Sequence, residues 1–131
     1  MGLLDVVRQK LLGDGVASAN WPCFIGYGPD NPDQIIVLQY TGGLAQDTLE
    51  GTNIEQHFQI KVRANKLDFS ACENKWWDMF NSLQDADFSV SPYFANIYLL
   101  QVLESGPIAF TDHLNRTNMT ANFRAILPRP T

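Results

Sequence analysis

Between Leu11 and Ile60 the chain has neither lysine nor arginine. Its 131 residues hold nine basic and fourteen acidic side chains, a formal net charge of −5. That balance argues against direct nucleic-acid binding, which needs clustered bases against phosphates. Histidine and cysteine are equally sparse: His57, His113, Cys23 and Cys72 are the whole supply. Two cysteines make a disulfide framework unlikely in chemistry and number, so synthesis in a reducing cytoplasm is the default. Neither histidine has another His or a Cys at metal-ligand spacing, so no metal or cofactor is predicted. No run reaches the roughly 18 apolar residues of a membrane-spanning helix. Met1-Gly2-Leu3-Leu4-Asp5 lacks a basic segment leading into an apolar one, so no secretory signal is expected.

What is present is apolar material: 45% of residues are hydrophobic and 18% charged, the balance of a globular chain. One domain over residues 1–131 is expected. The organising stretch is Ile54 to Leu83. Phe58, Ile60, Val62 and Ala64 alternate with His57, Gln59, Lys61 and Arg63, the period of a strand with one buried face. Beyond Asn65-Lys66 the period changes. Phe69, Cys72, Trp76, Phe80 and Leu83 recur at helical spacing, with Asp68 as the N-cap. Phe58, Ile60, Val62, Phe123 and Ala125 are expected to face that stripe, and Phe58→Asp to prevent folding.

Around this unit the chain divides readily. Leu3, Leu4, Val7, Leu11 and Leu12 trace a short N-terminal helix ended by Gly13-Asp14-Gly15. Trp21 to Tyr27 reads as a short strand, and Gly28 to Asp33 as turn, because its two prolines oppose regular structure. Ile35 to Tyr40 is apolar without alternation, which suits a strand covered on both faces. Thr41 to Asn53 reads as a long polar connection. Tyr93 to Leu103 reads as a long, bulged strand, and Ile108 to Phe110 as a short one. After a turn from Asp112 to Asn118, Met119 to Leu127 alternates strictly and forms the last strand. The predicted class is α+β: a mostly antiparallel sheet, one long helix packed on one face, and a short N-terminal helix beside it.

Chemistry is hard to find. Asp112-His113 has the residue types of half a catalytic pair, without an accompanying Ser or Cys motif. Gly13-Asp14-Gly15 and Gly26-Tyr27-Gly28 lack the further glycine or lysine of a phosphate loop. Trp76-Trp77 has no basic groove around it, so core or interface suits it better than base stacking. The chain is not expected to be an enzyme. The base-free stretch contributes Asp14, Asp30, Asp33, Asp47, Glu50 and Glu55, and an acidic surface is expected near the first half.

Several pieces in order carry a resemblance: Phe24 to Asp33, Ile36 to Gly43, the alternating Phe58 to Arg63 before a helix, Gly106-Pro107-Ile108, and Asn122-Phe123-Arg124 in the final strand. Together they cover nearly the whole chain and resemble the minor capsid and tail-terminator (tail completion) proteins of long-tailed bacteriophages. The resemblance implies a virion structural protein without cofactor. It implies a ring, usually a hexamer, at the head-proximal end of the tail, assembled in the host cytoplasm. Such a ring stops tail-tube polymerisation and faces the head connector. Its partners are then further copies of itself, the tail tube protein and the connector or neck protein, with no membrane. DNA passes through without specific binding. Asp47, Glu50 and Glu55 are the candidate interaction residues, with Asp47 and Glu50 in a mobile loop directed at the channel or the tube-facing rim. The alternatives are a neck or head-completion protein, a small adaptor that binds a protein through its sheet edge, and a hydrolase using Asp112-His113.

Overall fold

A computed structural model describes residues 2–45, 53–84, 86–90, 93 and 95–129. In order, the elements are α1 (Leu3–Gly13), β1 (Cys23–Ile25), β2 (Ile35–Ala45), β3 (Asn53–Lys66), α2 (Phe69–Leu83), β4 (Leu99–Val102), β5 (Ile108–Thr111) and β6 (Arg116–Pro128). The strands form one sheet in the order β1-β2-β3-β6, with β4 and β5 both pairing the far side of β6. Among the described residues only the β1–β2 pair is parallel. The expected α+β class holds. The expected contrast between a long and a short helix is modest, since α2 has 15 residues and α1 has 11.

Register explains the core. Phe58 stands opposite Phe123, Ile60 opposite Ala121, and Val62 opposite Met119. All six are buried, and the two phenyl rings stack with centroids 5.1 Å apart. Helix α2 lies over them. Asp68 caps it by accepting the Ala71 N–H at 3.2 Å, and the Trp76 indole donates to the Thr120 carbonyl at 3.1 Å. The buried stripe is Cys72, Trp76, Met79 and Leu83. This corrects the sequence expectation in phase: Phe69 is 52% exposed, and Phe80 packs only partly against the core. In α1 the same correction applies to Leu12, which is exposed, while Val6 turns inward.

Strand β2 is covered on both faces from Ile35 to Leu38, as its composition predicts, while Gln39 and Tyr40, expected to share that cover, are exposed. Ile36 and Leu38 join the core beneath the helices. Ile35 and Val37 point the other way and are also buried, close beneath the turn that contains Gly28. Burial pushes the thiols of Cys23 and Cys72 up to about 11. Both are therefore expected to resist alkylation in the folded protein at mildly alkaline pH and to react fully in denaturant. Stoichiometric labelling before unfolding would contradict this burial.

Several expected strands change length: Trp21 to Tyr27 contributes only Cys23–Ile25, and the last strand begins at Arg116, within the stretch expected to be turn. Tyr93 to Leu103 contributes only Leu99–Val102 to the sheet, paired with Phe123 to Ile126. The polar connection after Tyr40 is shorter than expected, because β2 runs on to Ala45 opposite Ile54. Thr41 is extruded as a bulge between the pairs Tyr40–Phe58 and Gly42–His57. Gly43, at φ 148°, runs so close to β3 that a Cβ there would collide with the Glu55 carbonyl. The two glycines thus bend a strand instead of opening a loop.

Candidate interaction surfaces

The sheet face away from the helices is polar, and its arginines are engaged inside the fold. Arg63 and Arg116 are almost wholly buried. Arg63 Nε donates to the Asp33 carbonyl at 2.8 Å, and its Nη2 donates to Pro29 and Pro32 carbonyls at 2.6 and 2.9 Å. Arg116 donates to the Asp30 carbonyl at 2.9 Å and to the carboxylates of Asp33 and Asp112 at 3.3 and 2.9 Å. The two guanidiniums clamp the proline-containing turn onto the sheet. Burial alone would raise the pKa of Asp112, but backbone N–H groups of Arg116 and Leu114, with Asn118 and the Arg116 guanidinium, hold it far below the usual carboxylate range.

In this arrangement Asp112 is held by Arg116 and its own turn and is not paired with His113 among the described hydrogen bonds. Asp112 Oδ1 accepts from the backbone of Leu114 and Arg116 at 2.9 and 3.1 Å, and Oδ2 from Arg116 and Asn118 at 2.9 and 3.4 Å. His113 is not among its hydrogen-bond partners. Among the described residues no group of three His, Cys, Asp or Glu is placed to hold a metal ion.

The acidic stretch is also neutralised where it is described. Asp14 pairs with Lys10 at 2.8 Å, and Asp30 and Asp33 pair with Arg116. Glu55 lies in β3, where it accepts from His57 Nε2 at 2.7 Å and pairs with Arg124 at 3.1 Å. The His57 hydrogen bond, opposed by burial and aided by the Arg124 charge, holds its carboxyl low. So Glu55 is joined to the polar face; Asp47 and Glu50 lie outside the described residues. Asp30 nevertheless stays largely exposed beside its partner, and Arg116 serves three carboxylates at once.

With no described catalytic constellation, likeness to known proteins carries more weight. A family model described as bacteriophage tail terminator protein matches residues 6–129. The chain belongs to that tail terminator family. A comparison with curated proteins gives no match. Among solved structures, a chain from the virion of a native gene transfer agent particle shares the fold at a TM-score of 0.72 and 15% identity, covering 97% of this chain and 95% of that one. This terminator-family chain is a virion structural protein, and its working parts are surfaces.

Those surfaces were only partly legible beforehand. The stripe Phe69, Glu73, Trp77, Phe80 and Gln84 lies on the sheet-edge side of α2, because Gln84 Oε1 accepts the Val102 N–H of β4 at 3.3 Å. The opposite flank faces α1: Ser82 donates to Asp14 at 2.6 Å, and the Lys75 ammonium sits 5.3 Å from the Trp21 ring centre. Phe69 and Trp77 are exposed on the edge side, with Leu67, Ile108 and Phe110 also exposed near that edge. Periodicity had placed Phe69 in the core, and its position at the first turn of α2 was the available signal that it lies at a boundary.

Proposed function

We propose that this protein caps the phage tail tube, stops its polymerisation and presents the interface to the head connector. The observation that carries this is the terminator-family match across residues 6–129. The fold agrees with it, offering exposed apolar edges. The active unit is a closed ring, in the simplest case a hexamer, at the head-proximal end of the tail and assembled in the host cytoplasm. It contacts the tube protein on one rim and the connector on the other, and DNA crosses its channel without specific binding.

Asp47 and Glu50 line that channel or its tube-facing rim in this proposal, and Glu55 supports the adjoining strand. Carboxylates repel a passing duplex, whereas lysines there would pair with phosphates and hold it. Phage lacking the protein is expected to produce tubes of unregulated length. Virions carrying Asp47→Lys with Glu50→Lys should contain a folded protein, with surface changes costing within about 0.5 kcal/mol, and should lose infectivity. Electron microscopy of tails and plaque assays check both. Tubes of normal length without the protein would reject the capping role, and normal infectivity of the double variant would reject the channel assignment.

A further inference from the structure

We propose that the open edge of β1 in one copy pairs antiparallel with the open edge of β5 in a second copy, so that the sheet runs on from subunit to subunit. The inference rests on the ring proposed above and names the surfaces that make it.

Both edges present free backbone groups. Pro22 O accepts from Ile36 N, and Gly26 N donates to Leu38 O, so these alternate residues of the β1 segment address β2. Cys23 and Ile25 therefore direct their backbone groups away from the sheet. On the other side Asp112 N donates to Arg116 O, which puts Ile108 and Phe110 in hydrogen-bonded pairs with β6. Ala109 and Thr111 then direct their backbone groups outward. All four residues of β5 are exposed.

The two edges also stand at one height. Register runs across the sheet from Cys23 through Ile36, Val62 and Met119 to Ala109, and from Phe24 through Val37, Lys61 and Thr120 to Ile108. Following the pairings, β1 and β5 point in opposite directions. A second copy placed beside the first therefore sets Cys23 against Ala109 with matching outward groups, and Phe24 against Ile108. A head-to-tail repeat of this kind closes into a ring when the rotation between copies completes a full turn without net rise, and the matched heights remove the offset that would wind it into a filament.

The flanking chemistry fits the same placement. Beside β1, a groove of about 520 Å³ is lined by Arg8, Leu12, Ile25 and Tyr27, among others. The β5 side offers Phe69 and Trp77 on the helix face, and Ile108 and Phe110 on the polar face. In both cases the helices lie on the same face of the sheet, so α1 of one copy meets α2 of the next. Arg8 and Glu73 make no ion pair among the described residues, and the placement brings these opposite charges to one seam.

The test uses the full chain, assembled alone or on purified tail tubes. Phe24→Cys with Ile108→Cys in one chain should give a ladder of covalent oligomers on oxidation, since a non-hydrogen-bonded antiparallel pair suits a disulfide. A mixture of the two single variants should stop at dimers. Arg8→Glu or Glu73→Arg alone should weaken association by about tenfold or more, as a like-charge contact does. The double reversal should restore it, and circular dichroism should show each variant folded. Rings that form with neither the ladder nor the charge dependence overturn this interface and leave the ring standing. Absence of any closed assembly, even on tubes, overturns the ring and this interface with it.

Discussion

Arg116→Met is expected to lower stability by about 2–3 kcal/mol, the cost of leaving the part-buried Asp112 carboxylate and the Asp30 carbonyl without their donor. Methionine retains the apolar stem and stops short of the guanidinium. What it removes is the guanidinium that holds Asp112 at 2.9 Å, Asp33 at 3.3 Å and the Asp30 carbonyl at 2.9 Å. The loss is a large part of the roughly 5–15 kcal/mol that holds a domain together. Urea titration should show a lower midpoint with an unchanged slope. A further Asp112→Asn should recover part of the loss, because it removes a stranded charge. Acid provides a second check. The folded Asp112 carboxyl is held below its unfolded value of about 3.9, so its contribution is fully present above that pH and disappears as pH falls toward the folded value. Asp112→Asn should therefore flatten the acid limb of the stability curve. A midpoint shift for Arg116→Met within error of zero would show that the turn stays in place without its clamp.

Phe58→Asp is expected to abolish cooperative folding. The phenyl ring is wholly buried at the centre of the sheet, stacked on Phe123. A carboxylate at that point has no cation, and keeping it neutral or hydrating it opens the contact between β3, β6 and α2. The truncation Phe58→Ala loses the ring without adding a charge, at about 3–5 kcal/mol. It should still unfold in one transition at a lower midpoint. A cooperative transition near the parent midpoint for Phe58→Asp would mean that the strand can turn this face to solvent.

How much of this was legible in the sequence depended on whether an element's environment repeats along the chain. Strands β3 and β6 are covered on one face along much of their length, so their alternation was readable. Ile35 to Leu38 announced two covered faces, and the structure supplies a helix layer on one side and the Gly28-containing turn on the other. Adjacent apolar residues defeated the method: Met79 and Phe80 both suit the α2 stripe, and only packing selects Met79. Arg63 falls on an alternating polar position and Arg116 in an expected polar turn, so both read as solvated, because their burial comes from a turn distant in sequence folding over them. Tyr93 to Leu103 has strand-like composition, yet only Leu99 to Val102 form a ladder with β6, flanked by single backbone hydrogen bonds from Tyr98 and Leu103. Of the candidate interaction residues, Glu55 proved to be a bonded member of the polar face. The exposed edge of α2 came from the fold alone.

The far edge of β6 is shared by two short strands, and between them Glu104 stands in for a strand, accepting the Asn122 backbone N–H at 2.9 Å and its side-chain amide at 2.6 Å. The halves on either side are not equally anchored. Leu100 ties β4 into the core, while no residue of β5 belongs to it. Local opening free energy should therefore fall steeply from β4 to β5, although both hang on the same neighbour. The segment with the least to lose by detaching is thus the one with the most to gain from a second partner, and contact with a neighbouring subunit would be felt first as slower amide exchange there.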